Sequence, residues 1–192
     1  MSLSVADACQ DDLREALKVV AVALKRTEVP FALTGGYAVW ARGGPESAHD
    51  VDFVIAEADA DEVRSKLKAE GLDVREPPED WLFKVYVGDA FVDVIHRVSQ
   101  QPTERSDVED ADLLEVLSIE MPVLSATQVI VHKLNAFDEH SCDFVKAIPV
   151  ARALREQVDW ERVRDRTAAN PFAAALLFLL ERLDVVPPAT TR

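Results

Sequence analysis

The stretch that decides the fold is His49-Asp50-Val51-Asp52-Phe53-Val54-Ile55, in which two aspartates interrupt an apolar run. The apolar residues predict a buried strand over 51–55. Residues two apart in a strand project from the same face, so Asp50 and Asp52 are expected to aim their carboxylates at one point. Two such charges repel each other on a buried strand unless a cation lies between them. Oxygen ligands at this spacing suit magnesium better than zinc.

A third acid lies in the later stretch Phe91-Val92-Asp93-Val94-Ile95. Strand interiors disfavour aspartate, so Asp93 is expected to face solvent, a partner or a metal ion. The apolar runs 82–87 and 90–95 predict two strands joined by a hairpin turn at Gly88-Asp89. The sequence therefore predicts that Asp93 lies on a strand of the same sheet.

A structural interpretation of the three acids stays open. Asp50 could be a turn residue, and Asp52 could pair with an arginine. Asp93 could equally be a paired structural acid. Lys84, on the strand adjacent to Asp93, either lines the same cleft or is exposed.

The triplet Thr34-Gly35-Gly36 follows the apolar run 29–34, at a point where the pattern predicts that a strand turns into a helix. Glycines at such a turn let backbone N–H groups approach a phosphate, and the helix N-terminus adds positive potential. Thr34, Gly35 and Gly36 are therefore candidate nucleotide-binding residues, although a Gly-Gly pair after a strand can also be only a tight turn. Arg42, at the end of the following helix, could reach a phosphate or be solvated.

Apolar periodicity outside these motifs predicts the remaining elements. The predicted elements are a helix from Ala6 to about Arg26, a helix over 58–70, a loop over 99–105, a helix capped by Asp107 and running to about Leu117, a short strand over 121–124, and a helix opened by a capping box at Ser125 and Gln128. This order predicts an α+β fold, with a mixed β-sheet core, flanking helices and a C-terminal helical bundle. We expect a core over 1–100 and a helical region over 101–192 that packs on it.

The charge balance limits the possible partners. The chain has 21 basic and 35 acidic residues, a net charge of −14. It lacks the basic track that long DNA requires, and a nucleic acid could make only a short contact near the basic residues of 146–166. No apolar stretch is long enough for a bilayer, and the N-terminus has no secretory signal pattern. With two distant cysteines, Cys9 and Cys142, these features predict a cytoplasmic protein with reduced thiols.

Together, Gly35-Gly36, the strand with Asp50 and Asp52, and Asp93 resemble the nucleotidyltransferase superfamily that includes DNA polymerase β. The family pattern is a Gly-Gly or Gly-Ser turn, a strand with two acids, and a third acid on a neighbouring strand. The resemblance implies that Asp50, Asp52 and Asp93 are catalytic residues that bind two Mg²⁺ ions, with Asp93 as the general base. It implies transfer of a nucleoside monophosphate from an NTP to an acceptor hydroxyl.

Within this superfamily, TGGYAVWARGG (34–44) and SAHDVDFVI (47–55) resemble the AbiEii/MenT-like group of toxin nucleotidyltransferases. In that group a helix after the sheet carries a lysine and, about ten residues later, an aspartate, positions that Lys133 and Asp143 match. The resemblance implies a catalytic and nucleotide-binding role for Lys133 and a nucleotide-binding role for Asp143. Lys133 also falls inside the apolar face of its predicted helix, where a lysine either snorkels to solvent or meets an anion such as a triphosphate.

The acceptor stays open at this stage. A toxin-like enzyme would modify tRNA 3′ ends and could have an antitoxin protein as partner. The alternatives are adenylylation of a small hydroxylated molecule of the antibiotic type or of a protein side chain, or an inactive binding module. The intact set of three acids argues against the inactive module. The net charge of −14 favours a small or protein acceptor, whereas the toxin resemblance favours tRNA.

Overall fold

The computed structural model describes residues 5–99 and 101–188. The strands are β1 Phe31–Thr34, β2 Asp52–Ile55, β3 Asp73–Arg75, β4 Leu82–Val87, β5 Ala90–Ile95, β6 Arg97–Val98, β7 Gln101–Pro102, β8 Asp112–Val116 and β9 Ile119–Val123. The α-helices are α1 Val5–Thr27, α2 Gly35–Ala41, α3 Ala60–Ala69, α4 Arg105–Glu109, α5 Ala126–Asn135, α6 Phe144–Leu154, α7 Trp160–Thr167 and α8 Pro171–Arg182.

Seven strands form one mixed sheet in the order β3-β4-β5-β2-β1-β9-β8. The pairs β2–β5 and β1–β9 are parallel, and the other pairs of this sheet are antiparallel. The predicted hairpin at Gly88-Asp89 joins β4 to β5, with Val87 opposite Ala90. The predicted α+β fold with a mixed sheet is therefore confirmed.

The core forms where the apolar stripe of α1 meets the sheet. Leu17 and Leu24 recur at helical spacing and are fully buried. On β5, Val92 and Val94 are fully buried, whereas Phe91 and Asp93 are only partly buried. Alternation along β5 thus separates a face that packs on α1 from a face that carries Asp93.

The region after residue 100 differs from the prediction. The predicted helix from Asp107 to about Leu117 is wrong, because α4 ends at Glu109 and the chain continues as β8. Strand β9 pairs with β1, so the core sheet extends beyond the predicted boundary at residue 100. Leu117 and Ser118 form the β8–β9 turn with φ of 51° and 63°, values that hairpins usually reserve for Gly or Asn. The sequence therefore carries no turn signal there.

Other predictions concern smaller features. The predicted loop over 99–105 contains the short strand β7, and residue 100 lies outside the described residues. Cys142 is a free cysteine, whereas the side chain of Cys9 lies outside the described part of the chain. Among residues 5–99 and 101–188, no helix combines the length and the apolar character needed to cross a membrane.

Candidate active site

The candidate site is built on a row of residues that pair across four strands. Asp52 of β2 lies opposite Thr34 of β1 on one side and opposite Asp93 of β5 on the other. Asp93 in turn lies opposite Lys84 of β4. Side chains at directly paired positions project from the same face of a sheet. Asp52 and Asp93 therefore lie side by side on one face.

Asp52 lies close to other negatively charged side chains. Burial, followed by the charges of Asp50 and Asp93, raises the pKa of Asp52 to about 7, and the charges of Lys133 and Lys84 only partly oppose this shift. Burial also raises the pKa of Asp93, against a hydrogen bond from Lys84. A cation between these carboxylates would favour their ionised forms.

Asp50 lies just before β2 and is exposed. Its Oδ1 accepts a hydrogen bond from the Ser47 hydroxyl at 3.0 Å. Its charge raises the pKa of both other aspartates, so the three carboxylates share one electrostatic environment. Within the described residues, no three His, Cys, Asp or Glu side chains are arranged to hold a metal ion. The contacts from Ser47 and Lys84 each engage one oxygen, Oδ1, of Asp50 and Asp93.

Gly35 makes room for the Asp52 carboxylate. Gly35 has φ of +62°, and a Cβ added there would lie 1.9 Å from Oδ2 of Asp52. A Cβ added at Gly36 would lie 2.5 Å from Cβ of Ser47, the residue that holds Asp50. The Gly-Gly turn therefore sets the positions of two carboxylates, in addition to any role with phosphate. The sequence pattern alone does not reveal this steric requirement.

The loop that carries Asp50 is anchored to α1. Arg14 donates two hydrogen bonds to the Glu46 carboxylate, each of 2.7 Å. Gln10 donates to the carbonyl oxygen of Ser47 at 3.3 Å. Sequence reasoning missed Ser47, Glu46 and Arg14 as supporting residues. The pairings Arg14–Glu46 and Gln10–Ser47 join positions more than 30 apart and follow no local motif.

Lys133 reaches the aspartate site from α5. It is half-buried, and its charge lowers the pKa of Asp52. No described residue forms a hydrogen bond or an ion pair with this ammonium. The neighbouring residues Val129 and Leu134 are buried, as the apolar face predicts. The structure thus brings Lys133 and Asp52 into one environment.

Lys84 also lines the cleft. Its ammonium donates to Oδ1 of Asp93 at 2.6 Å and lies 4.1 Å from the centre of the Phe91 ring. Of the two alternatives left by the sequence, cleft-lining or exposed, the structure has the first. In this arrangement Asp93 has the basic partner that its structural interpretation required.

Two predicted nucleotide-binding residues have other contacts. Arg42 donates to the carbonyl oxygens of Leu124 and Val123 at 2.7 and 3.0 Å, and to Asp112 at 2.7 Å. Its guanidinium is therefore engaged at the β9–α5 junction, and a contact with phosphate stays a prediction. The side chain of Asp143 caps α6 by accepting from the backbone N–H of Lys146 at 3.2 Å, and no contact of the described residues connects it to the aspartate site.

Comparisons with known proteins find relatives of the same fold. A family model for aminoglycoside-2″-adenylyltransferase matches residues 16–94, the segment that contains Gly35, Gly36 and the three aspartates. A crystal structure of ANT(2″)-Ia in complex with adenylyl-2″-tobramycin has 17% identity and a TM-score of 0.58, covering 84% of this chain and 98% of that chain. A search of curated protein sequences found no match.

Two further solved structures have the same fold at low identity. The lincosamide antibiotic adenylyltransferase LnuA, bound to lincomycin, has 11% identity and a TM-score of 0.50, covering 80% of this chain and 97% of that chain. An antigenic nucleotidyltransferase-like protein from Paracoccidioides brasiliensis has 14% identity and a TM-score of 0.51, covering 90% of this chain and 88% of that chain. The resemblance to the AbiEii/MenT-like group stays a prediction. The chain therefore has the nucleotidyltransferase fold that its Gly-Gly turn and three acids predict.

Proposed function

We propose that the protein is a magnesium-dependent nucleotidyltransferase that moves a nucleoside monophosphate from an NTP to a hydroxyl of a small molecule. The observation that carries this proposal is the placement of Asp52. Its carboxylate lies over Gly35 and beside Asp93, and its pKa is raised to about 7 by burial and by the two neighbouring acids. Such a crowded set of carboxylates is typical of a site that holds cations.

The residues present fit Mg²⁺. Asp50, Asp52 and Asp93 offer hard oxygen donors, and burial of their negative charge is costly without a counter-ion. We infer that these three side chains would hold two Mg²⁺ ions. When bound, the ions would polarise the phosphoryl group and the acceptor hydroxyl.

Each residue then has a role in the transfer. The Asp93 carboxylate takes the proton of the acceptor hydroxyl. The acceptor oxygen forms a bond to the α-phosphorus, the bond from that phosphorus to the bridging oxygen breaks, and pyrophosphate leaves. Lys133, near Asp52 and without an ion-pair partner among the described residues, neutralises charge on the triphosphate. The backbone at Gly35 and Gly36 contacts the phosphates of the NTP.

For the acceptor we favour a small, cationic, hydroxylated molecule of the antibiotic type. The similar structures include one with adenylyl-2″-tobramycin and one with lincomycin, and the family model names an aminoglycoside adenylyltransferase. The net charge of −14 attracts a cation and repels a polyanion such as tRNA. Toxin-like transfer to tRNA, with an antitoxin partner, is the second candidate, supported by the sequence resemblance alone.

The experiment is pyrophosphate release by the full chain with Mg²⁺, each of the four NTPs in turn, and tobramycin, lincomycin or total tRNA as acceptor. We expect release with ATP and a small acceptor. Asp52→Asn should abolish release, whereas Asp89→Asn, an exposed acid of the β4–β5 turn, should not change it. Release with tRNA alone would shift the proposal to the toxin-like candidate. Equal release by wild type and Asp52→Asn would overturn the assignment of the site.

A further inference from the structure

Most basic side chains that the structure describes have a partner. They donate to an acidic side chain or to a backbone carbonyl oxygen. The basic side chains for which the described residues provide no hydrogen bond or ion pair are Lys133, Arg152, Arg162, Arg166 and Arg182. Lys133 belongs to the aspartate site described above. Two of the others, Arg162 and Arg166, share one cavity.

This cavity has a volume of about 260 Å³ and lies between α4, α5, α7 and the β6–β7 hairpin. Arg162 and Arg166 are one helical turn apart on α7 and are exposed, so both guanidinium groups can turn to the same ligand. Most of the remaining lining from α5 is polar, with Thr127, Gln128, His132 and Asn135. A volume of this size suits a small ligand.

One buried donor in the wall has no partner. Thr103 lines the cavity and is 6% exposed, and its hydroxyl forms no hydrogen bond with the described residues. The hydroxyl oxygen is almost completely covered by protein, so Thr103 forms part of the wall and its hydroxyl does not face the open part of the cavity.

The other polar groups hold the wall in place and set its charge. Asn135 donates to the backbone carbonyl oxygen of Arg166 at 3.2 Å, and Gln128 donates to that of Asp107 at 2.8 Å. Asp107 is the acidic residue of the lining, and its Oδ2 accepts from the backbone N–H of Glu104. Burial lowers the pKa of His132 to about 4, so its ring is neutral at pH 7. Two arginines against one aspartate leave the cavity with net positive charge.

The cavity is separate from the aspartate site. On a helical wheel of α5, the lining residues Thr127, Val131 and Asn135 fall on one side, whereas Lys133 falls on the opposite side. Helix α5 therefore has an aspartate-site face and a cavity face. A ligand bound at the cavity face would not contact Asp50, Asp52 or Asp93.

We propose that the cavity face of α5, with Arg162 and Arg166, binds a phosphate group, carried by inorganic phosphate or by a small phosphomonoester. The guanidinium fork matches phosphate oxygens in pairs of hydrogen bonds. The assignment of this phosphate site is independent of the nucleotidyltransferase activity proposed above.

The test is thermal unfolding of the full chain with inorganic phosphate, with glycerol phosphate, and with chloride at equal ionic strength. To remove binding at the aspartate site, the titrations are repeated in Lys133→Ala. We expect saturable stabilisation at ligand concentrations up to about 10 mM. The double variant Arg162→Gln/Arg166→Gln should bind about tenfold or more weakly, since charge-assisted bonds to phosphate are lost.

The matched control is Arg152→Gln/Arg182→Gln, which removes the same charge from two exposed arginines outside the cavity. This control should keep wild-type affinity. Stronger binding of glycerol phosphate than of inorganic phosphate would identify a phosphomonoester as the ligand, and the reverse would identify the free ion. The proposal is overturned if phosphate has no effect beyond chloride, if both double variants respond alike, or if Lys133→Ala abolishes the stabilisation.

Discussion

Helix α5 lies between two polar clusters, the aspartate site and the cavity lined by Arg162 and Arg166. On the aspartate-site face, three carboxylates crowd around Asp52, with Lys84 and Lys133 as the nearby cations. On the cavity face, Arg162 and Arg166 have no acidic partner among the described residues. The aspartates are partly desolvated, whereas the arginines are exposed. Because desolvation amplifies electrostatic effects, we expect substitutions on the first face to have the larger consequences.

The largest expected effect is that of Asp52→Asn, which should abolish nucleotide transfer without destabilising the metal-free protein. The pKa of Asp52 is raised in the folded state, to about 7, so its ionisation disfavours the fold as pH rises from about 4 to 7. Over that window, the metal-free wild type should lose stability relative to Asp52→Asn. Urea unfolding at several pH values measures this difference. A large loss of stability in the variant at pH 7 would indicate an ion-pair role for Asp52.

Gly35→Ala should have the next largest effect. The added Cβ would overlap the Asp52 carboxylate, and the residue would keep a positive φ that alanine disfavours. We expect loss of transfer and destabilisation of roughly 1–3 kcal/mol. Gly43→Ala is the matched control, because Gly43 also has positive φ but an added Cβ meets no atom within 4 Å. If both variants lost the same activity, backbone strain alone would explain the result.

Lys133→Ala should weaken transfer by about one to two powers of ten, since a charge-assisted contact contributes roughly 1.5–3 kcal/mol. Lys133→Arg should recover only part of the lost transfer activity, because the planar guanidinium has a different reach. NTP binding and single-turnover transfer are the measurements. Unchanged values in Lys133→Ala would mean that the ammonium has no contact with the triphosphate.

Asp143→Ala should have the smallest effect. It removes the cap of α6, at a cost of about 0.5–2 kcal/mol in the free energy of unfolding. NTP affinity should stay at the wild-type value, as measured by titration. A tenfold loss of affinity with unchanged stability would restore Asp143 to the nucleotide site, as the resemblance to the toxin-like group implies.

The sequence predicts the aspartate-site face better than the cavity face for a physical reason. The positions of Asp52 and Asp93 follow from alternation along strands, which is a local pattern. The sequence identifies Gly35 as a candidate site residue, but its steric role depends on where Asp52 approaches it in three dimensions.

The rest depends on long-range contacts. Arg42 meets Leu124, which lies 82 positions away, so local helix position could not reveal its partner. The β8–β9 turn has positive φ at Leu117 and Ser118, residue types that rarely adopt it, so the sequence pattern predicts a helix in place of β8. The cavity joins α4, α5 and α7, and a cluster of basic residues in sequence only hints at it.

The central claim, that Asp50, Asp52 and Asp93 form a divalent-cation site for a nucleotide, can be tested without knowing the acceptor. The measurement is Mn²⁺ binding, followed by electron paramagnetic resonance, with and without a non-hydrolysable ATP analogue. We predict that wild type and Asp89→Asn bind Mn²⁺ more tightly with the analogue present, and that Asp52→Asn loses this binding. Equal Mn²⁺ binding by wild type and Asp52→Asn, with and without the analogue, would contradict the account.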